Sequence, residues 1–308
     1  MPCMEQENFD NRQTALTDKK LALTYVNVTN SAAELERSHL CGPTAGLVQS
    51  SALAAVALLG SEVSQKDETV SLRLRVSGPV AGVLVESAFG GGLRGYTHNK
   101  VLNALDVREK ISDEEALGEL AQMTVIRSIP GQTISSAMLD VRPASMKKGL
   151  HEYLNKSLQR NGEVEIAAES TAAGVTFSKA FMVELMPDGN AKAFDELCDQ
   201  FSDGSMLQAL TRAQNLTELC ALLEIEEYKL NEPQSLQFKC RCSTNRVEAM
   251  VSDLPDADIK DMLKSSQENQ ITCHMCGTGY QIRKSTLWNV LEKRGHDIDF
   301  EEDESFYD

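Results

Sequence analysis

Apolar residues follow two spacings along this chain of 308 residues. Val70, Leu72, Leu74 and Val76 alternate with Ser71, Arg73 and Arg75, a period of two that predicts a strand with one solvated face. Similar runs predict strands at about 21–28, 80–88, 123–128, 134–141, 164–169 and 175–185. Helical spacing covers 112–120 and 145–160, and the largely apolar stretch 43–60 reads as a buried helix. Ser31-Ala-Ala-Glu34 has the spacing of a capping box and predicts a helix opening there and running toward His39. Strand pairs joined through glycine-containing turns, with helices set between the pairs, imply a mostly antiparallel α+β fold and not a doubly wound α/β one.

The spacing changes after residue 187. Phe194, Leu197, Leu207, Leu210, Leu216, Leu219, Leu222 and Leu223 recur at helical intervals, with acidic side chains on the other faces. Residues 184–233 hold 11 acidic and 3 basic side chains, so the segment repels itself. Short isolated helices are marginal in water, which makes a packed neighbour the expected source of stability. The chain thus divides into an α+β body at 10–187, a helical linker at 188–236, a small cysteine-bearing unit at 237–295 and an acidic tail at 296–308.

Composition narrows the function classes. Apolar residues at 42% and charged residues at 25% are ordinary for a globular protein with a packed core. A net charge of -16 repels phosphate backbones and anionic lipid surfaces, so neither nucleic acid nor a membrane is an expected partner. The longest apolar run, ending at Gly60, is interrupted by Gln49, Ser50 and Ser51 and is too short to span a bilayer. The first twenty residues are polar and lack a central apolar region, so no secretory signal is expected and the protein is expected in the cytoplasm.

Eight cysteines in such a chain read as thiols and metal ligands rather than as a disulfide framework. Cys3, Cys41, Cys198 and Cys220 are scattered. The others form Cys240-Arg-Cys242, then 30 intervening residues, then Cys273-His-Met-Cys276-Gly. Two close pairs separated by a small folded insert bring four thiolates to a tetrahedral centre, with Zn–S of about 2.3 Å. Zinc is therefore the expected ion, with iron–sulfur ligation a distant second left open by residue type. Four sulfur ligands leave no position for a catalytic water, which argues against a zinc hydrolase. His274 reads as a surface residue between two ligands. A thioredoxin-like site would need a strand-to-helix setting, whereas 271–274 and 280–283 read as a hairpin carrying the motif at its turn.

A unit of about 56 residues buries too little surface to be robust alone, and a structural zinc ion supplies about 10 to 16 kcal/mol of folding free energy. Zinc-bound sulfurs stand about 3.8 Å apart and disulfide-bonded ones about 2.05 Å, so oxidation and zinc retention exclude each other. The local pairs, Cys240 with Cys242 and Cys273 with Cys276, are both short enough to close. That chemistry suits a reversible switch.

Phe238-Lys-Cys-Arg-Cys-Ser243 with Arg246, the Leu254-Pro-Asp helix start, and Cys273-His-Met-Cys276 with Tyr280 resemble the redox-switch domain of the heat-shock protein 33 family of chaperones. Arg37-Ser-His39 with Pro43, Leu93-Arg-Gly-Tyr96, and Tyr153 followed by Ser157 and Gln159 resemble that family's N-terminal domain in the same order. The resemblance covers about 21–291. It implies an ATP-independent holdase, not an enzyme, that is inactive when reduced with zinc on Cys240, Cys242, Cys273 and Cys276. It further implies activation by oxidative stress with unfolding conditions: disulfides Cys240–Cys242 and Cys273–Cys276, zinc release, unfolding of switch domain and linker, homodimerisation, and capture of unfolding client proteins. The family often has Ser-Glu-Gln where this chain has Ser157-Leu-Gln159, and Ser-Arg-Glu-Arg where it has Ser243-Thr-Asn-Arg246. Neither departure removes a zinc ligand.

Other features read as structural. Gly90-Gly-Gly92-Leu-Arg-Gly95 satisfies a dinucleotide-binding spacing, but a return strand and not a helix follows it. His39 and His151 lie in helices without a catalytic constellation in sequence. Cys198 and Cys220 read as small buried hydrophobes that could join redox chemistry if the linker unfolds. Trp288, Leu287 and Leu291 read as the core of the last helix, and Phe181, Met182 and Met186 as strand core or client-binding surface. Two other functions compete, a constitutive zinc-ribbon interaction or nucleic-acid adaptor and a thiol-disulfide oxidoreductase. Against the adaptor, residues 237–308 carry 9 basic and 14 acidic side chains and form no basic stripe.

Overall fold

The structure, a computed structural model, describes residues 10–108, 110–265 and 269–295. Cys3 and the tail expected at 296–308 lie outside the described residues. The alternation around Leu72 becomes the strand Thr69–Val76, central in a sheet ordered Gln237–Phe238, Gly92–Thr97, Gly82–Ala88, Thr69–Val76, Ala121–Ile129, Gln132–Val141. A second sheet is ordered Tyr228–Leu230, Asn11–Thr17, Leu21–Asn27, Gly174–Leu185, Gly162–Thr171, and Gln234–Ser235 also pairs with Asn11–Thr17. Pairing in both sheets is antiparallel except between Gln237–Phe238 and Gly92–Leu93. The fold is α+β, as the sequence predicts.

The helix Pro43–Leu59 is apolar all round because it packs on strands of both sheets. The expectation that this run is too short to span a bilayer is corrected. With its extension to Glu62 the helix is long and apolar enough to cross a membrane by length and composition, yet 83% of the apolar window is buried inside the fold. Strand Leu21–Asn27 is covered on both faces, which explains its lack of strict alternation. Val26 joins the cluster around Leu53 and Leu58, while Leu21, Leu23 and Tyr25 join Phe181 and Val183 on the opposite face.

That opposite face is covered by the acidic segment. Helices Ala191–Ser202, Ser205–Arg212 and Leu216–Leu222 bury Leu197, Phe201, Met206, Leu210, Leu216 and Leu219 against it. Phe201 stacks on Phe181 with ring centroids 6.2 Å apart. Four hydrogen bonds fix the docking. Lys179, 3% exposed, donates to the carbonyls of Thr211 at 3.0 Å and Ala213 at 2.7 Å, where the helix Ser205–Arg212 ends. Tyr25 Oη donates to Ala213 O at 3.3 Å, and Leu216 N donates to Gln13 Oε1 at 2.7 Å. A buried cation at the negative end of a helix satisfies carbonyls that no intrahelical donor reaches.

Several local expectations are corrected. The helix predicted to open at Ser31 runs Thr29–His39, and its N-cap Val28 offers no side-chain cap; Thr29 N donates to Asn27 Oδ1 at 3.1 Å, and the next two amides, Asn30 N and Ser31 N, donate to Asp10 at 2.9 and 2.6 Å. The capping box occurs instead at Ser112 and Glu115, ahead of the short helix Asp113–Leu117. The helix expected at 145–160 is α-helical over Met146–Glu152 and continues as a π-turn, Tyr153–Ser157. Strand Asn11–Thr17, not anticipated, carries buried Arg12, Ala15 and Thr17.

Two compact units divide between Cys240 and Arg241. Docking on the sheet places the segment expected as a separate linker in the first unit, and backbone pairing with Gly92–Leu93 does the same for Gln237–Phe238. The second unit holds helices Thr244–Ser252, Asp256–Lys264 and Lys284–Lys293 and the hairpin Asn269–Thr272 with Gly279–Ile282. Its core is Val247, Val251, Ile259, Ile282, Leu287, Val290 and Leu291, whereas Trp288, expected in the core of the last helix, is half-buried. Arg294 Nη1 donates to Leu254 O at 2.8 Å and pairs with Asp256, tying the last helix to the start of the second one.

Candidate metal centre

Cys240 is positioned by backbone pairing. Gln237 N donates to Gly91 O at 3.0 Å and Lys239 N to Leu93 O at 2.8 Å, leaving Cys240 as the next residue. Gly91 has φ +83, and a Cβ there would land on the carbonyl oxygen of Ser235, so the glycine run is a turn across which the incoming strand passes. The dinucleotide pattern therefore has another cause, and Gly92–Thr97 is a strand. Arg94 Nη1 donates to the Cys240 sulfur at 3.7 Å, while its Nε and Nη2 donate to Glu86 at 2.7 and 2.5 Å. Burial works against the Arg94 charge, but Glu86 and the Cys240 sulfur outweigh it and hold the guanidinium above its ordinary basicity.

Cys242 directly precedes Ser243, whose hydroxyl accepts Arg246 N at 3.3 Å and starts the helix Thr244–Ser252. Cys273 and Cys276 sit at the turn of the hairpin, where the sequence places them. Cys273 N donates to Thr278 O at 2.9 Å and Gly277 N to Cys273 O at 2.8 Å, with Gly277 at φ +72. The sulfurs of Cys240, Cys242, Cys273 and Cys276 all lie within 4.8 Å of one another, and those of Cys242 and Cys276 are 3.3 Å apart. Tyr280 Oη donates to the Cys242 sulfur at 2.9 Å, a bond that raises the phenol's pKa, and Cys276 Sγ donates to Thr278 Oγ1 at 3.2 Å. Cys276 is buried and the other three cysteines are half-buried.

This donor set fits a metal ion. Four soft sulfur donors at these separations match the edge of a tetrahedral thiolate centre, about 3.8 Å, and could hold one ion. His274 is exposed and stands outside the sulfur group.

The other flagged residues go elsewhere. His39 is buried, with Nε2 2.9 Å from Gly95 O, and His151 Nδ1 lies 3.0 Å from Glu163. Phe181 and Met182 are core, whereas Met186 is 40% exposed. Cys41 lies near Gln49 and Thr97, and burial raises its thiol pKa. Arg94 and Tyr280 appear in the sequence motifs, but their contacts with Cys240 and Cys242 arise only from the folded chain.

Known proteins share this architecture. The crystal structure of a 33 kDa chaperonin from Thermotoga maritima, a heat shock protein 33 homologue, matches with a TM-score of 0.83 at 19% identity, over 94% of this chain and 100% of that one. A 33 kDa chaperonin of Caldanaerobacter subterraneus subsp. tengcongensis is 25% identical over 92% of this chain and 97% of its own length. One from Cyanothece sp. is 24% identical over 92% and 96%. The family described as Hsp33 protein matches residues 10–283, and the chain belongs to this family of chaperones.

Proposed function

We propose that the protein is a redox-regulated, ATP-independent holdase of the cytoplasm, inactive while Cys240, Cys242, Cys273 and Cys276 ligate zinc and activated by oxidation to bind unfolding proteins. The observation that carries this reading is the convergence of four thiols within 4.8 Å beside a core of seven buried apolar side chains. Bound zinc supplies the cross-link such a small unit lacks, on the order of 10 kcal/mol.

A peroxide oxidises one thiolate of a local pair to a sulfenic acid as its O–O bond breaks, and the neighbouring thiol displaces water to close the disulfide. Cys240 pairs with Cys242 and Cys273 with Cys276 in this reading. Each bond removes two sulfurs from the ligand set, and the unit loses its cross-link. The acidic helices then leave the sheet and uncover Leu23, Tyr25, Phe181 and Val183 for a client, and the open form pairs with a second copy.

The test starts from reduced, zinc-loaded protein and follows light scattering of a thermally unfolding client before and after peroxide at raised temperature. Suppression of aggregation should appear together with zinc release. Equal activity in both states with zinc retained would sink the reading, as would oxidant control that survives replacement of Cys273 and Cys276 by serine.

A further inference from the structure

The edges of the two sheets are guarded unequally. In the second sheet, the edge strand Gly162–Thr171 carries Glu163, Glu165 and Glu169, and the helix Met146–Glu152 lies against it. Lys147 reaches Glu165 at 2.7 Å and His151 reaches Glu163 at 3.0 Å. The opposite edge strand, Tyr228–Leu230, is only three residues long. In the first sheet, Gly92–Thr97 is covered by Lys239 N on Leu93 O and by His39 Nε2 on Gly95 O. Charge, shortness and cover are the ordinary means by which an edge avoids pairing with another chain.

The strand Gln132–Val141 uses none of these. It is the outer strand of the first sheet for ten residues, and no strand among the described residues pairs with its far side. Residues 132–139 hold no charge and no proline, and Ile134 and Met138 are 40% and 65% exposed. A bulge at Ile134, which is skipped in the register with Ala121–Ile129, limits the regular edge to 135–141. We propose that this edge pairs antiparallel with the same edge of a second copy of the chain, in the reduced, zinc-loaded protein as well as after oxidation. The inference goes beyond the reading above, because the edge is open while the acidic helices are docked.

The fold dictates which groups are on offer. Along a strand, backbone groups and side chains alternate in direction together. Core-facing Leu93 turns its carbonyl out of the sheet, toward Lys239 N. Gln132–Val141 runs in the same direction as Gly92–Thr97, since the four pairings between them are all antiparallel. Core-facing Ala137, Leu139 and Val141 therefore turn their backbone groups inward to Ala121–Ile129, and Ser136, Met138 and Asp140 turn theirs to solvent.

Charge selects the register and the occupant. With Met138 on a twofold axis it faces the partner's Met138, Ser136 faces the partner's Asp140, and Ala137 faces the partner's Leu139. No carboxylate meets a carboxylate, and each Asp140 gains a hydroxyl donor. Each outward residue exchanges both backbone bonds with the one opposite. A client segment of arbitrary sequence offers no such match. Pairing over 135–141 buries less than the roughly 1,200 Å² of a stable interface, so the dimer is weak and exchanges with monomer. Two chains of net charge -16 repel each other, and salt shortens the reach of that repulsion, so association should strengthen with ionic strength.

Reduced, zinc-loaded, full-length protein is followed by sedimentation velocity over a range of concentration and salt, and by hydrogen exchange with mass spectrometry at low and high concentration. The expected result is a dimer that grows with both variables, and slower exchange in peptides covering 135–141 at the higher concentration. Met138→Lys sets two cations together on the axis and should weaken association several-fold. Ser136→Pro removes an outward amide and should do the same while sparing the ladder to Ala121–Ile129. An unchanged thermal transition shows that the variants fold. A monomer at every concentration overturns the proposal, as does a dimer whose protected peptides lie elsewhere or that ignores Met138→Lys. Protection of 135–141 only when a denatured client is added overturns it as well. A dimer seen only after peroxide overturns it and leaves the holdase reading standing, whereas a reduced dimer without oxidant-controlled holding sinks that reading alone.

Discussion

At Asp10, one carboxylate does the work expected of a local cap. Its two oxygens take Asn30 N and Ser31 N from twenty residues away in sequence, so Asp10→Ala should cost about 1 to 2 kcal/mol, read from the urea midpoint of the first unit. Cys220 sets a pH signature in the opposite range. Its folded pKa of about 11 lies above the ordinary 9.0, so the folded state retains its proton where the unfolded one has lost it. The stabilisation is whole below pH 9.0 and disappears as pH climbs through about 11, an effect of roughly 2 to 3 kcal/mol. Protease resistance of 191–222 should fall over that window, and Cys220→Ala should flatten the fall.

The linker helices are held by apolar and polar contacts that can be removed separately. Phe201→Ala takes a stacked ring off Phe181 and should weaken docking by about 3 to 4 kcal/mol, giving client holding without oxidant. Lys179→Met removes the Lys179 donor from Thr211 O and one of the two donors, Lys179 and Tyr25, from Ala213 O, costs about 1 to 3 kcal/mol, and should lower the temperature at which peroxide opens the linker. Light scattering checks both, with reduced Phe201→Ala protein and with peroxide-treated Lys179→Met protein over a range of temperatures. Long strands were legible because Leu72 and its neighbours alternate over a whole element. Gln237–Phe238 and Tyr228–Leu230 were not, since two or three residues carry no period and only pairing makes them strands. Asn11–Thr17 escaped notice because polar Arg12 and Thr17 are among its buried residues; Arg12 is satisfied by Ala57 O at 2.9 Å and by Gln234. The four cysteines could be read from spacing alone. That Arg94 reaches Cys240 and Tyr280 reaches Cys242 could not, because no local pattern encodes a contact 146 or 38 residues away.

At the scale of the molecule, the two units differ in what stabilises them. The first has two extensive buried clusters, the second a single small one. Chelation of the metal should therefore abolish the near-ultraviolet signal of Trp288, the chain's one tryptophan, while the thermal transition of the first unit persists in calorimetry. A single unchanged transition would count against a metal-dependent second unit. The acidic helices are bounded by strands of one sheet, Gly174–Leu185 before them and Tyr228–Leu230 after them. If residues 186–227 detach, they do so as a handle fixed at both ends, never as a loose tail. Such a handle hovers over the face it vacated at an effective concentration of about millimolar order. A bound client then competes continuously with the chaperone's own chain, and those holding least apolar surface are the first to be let go.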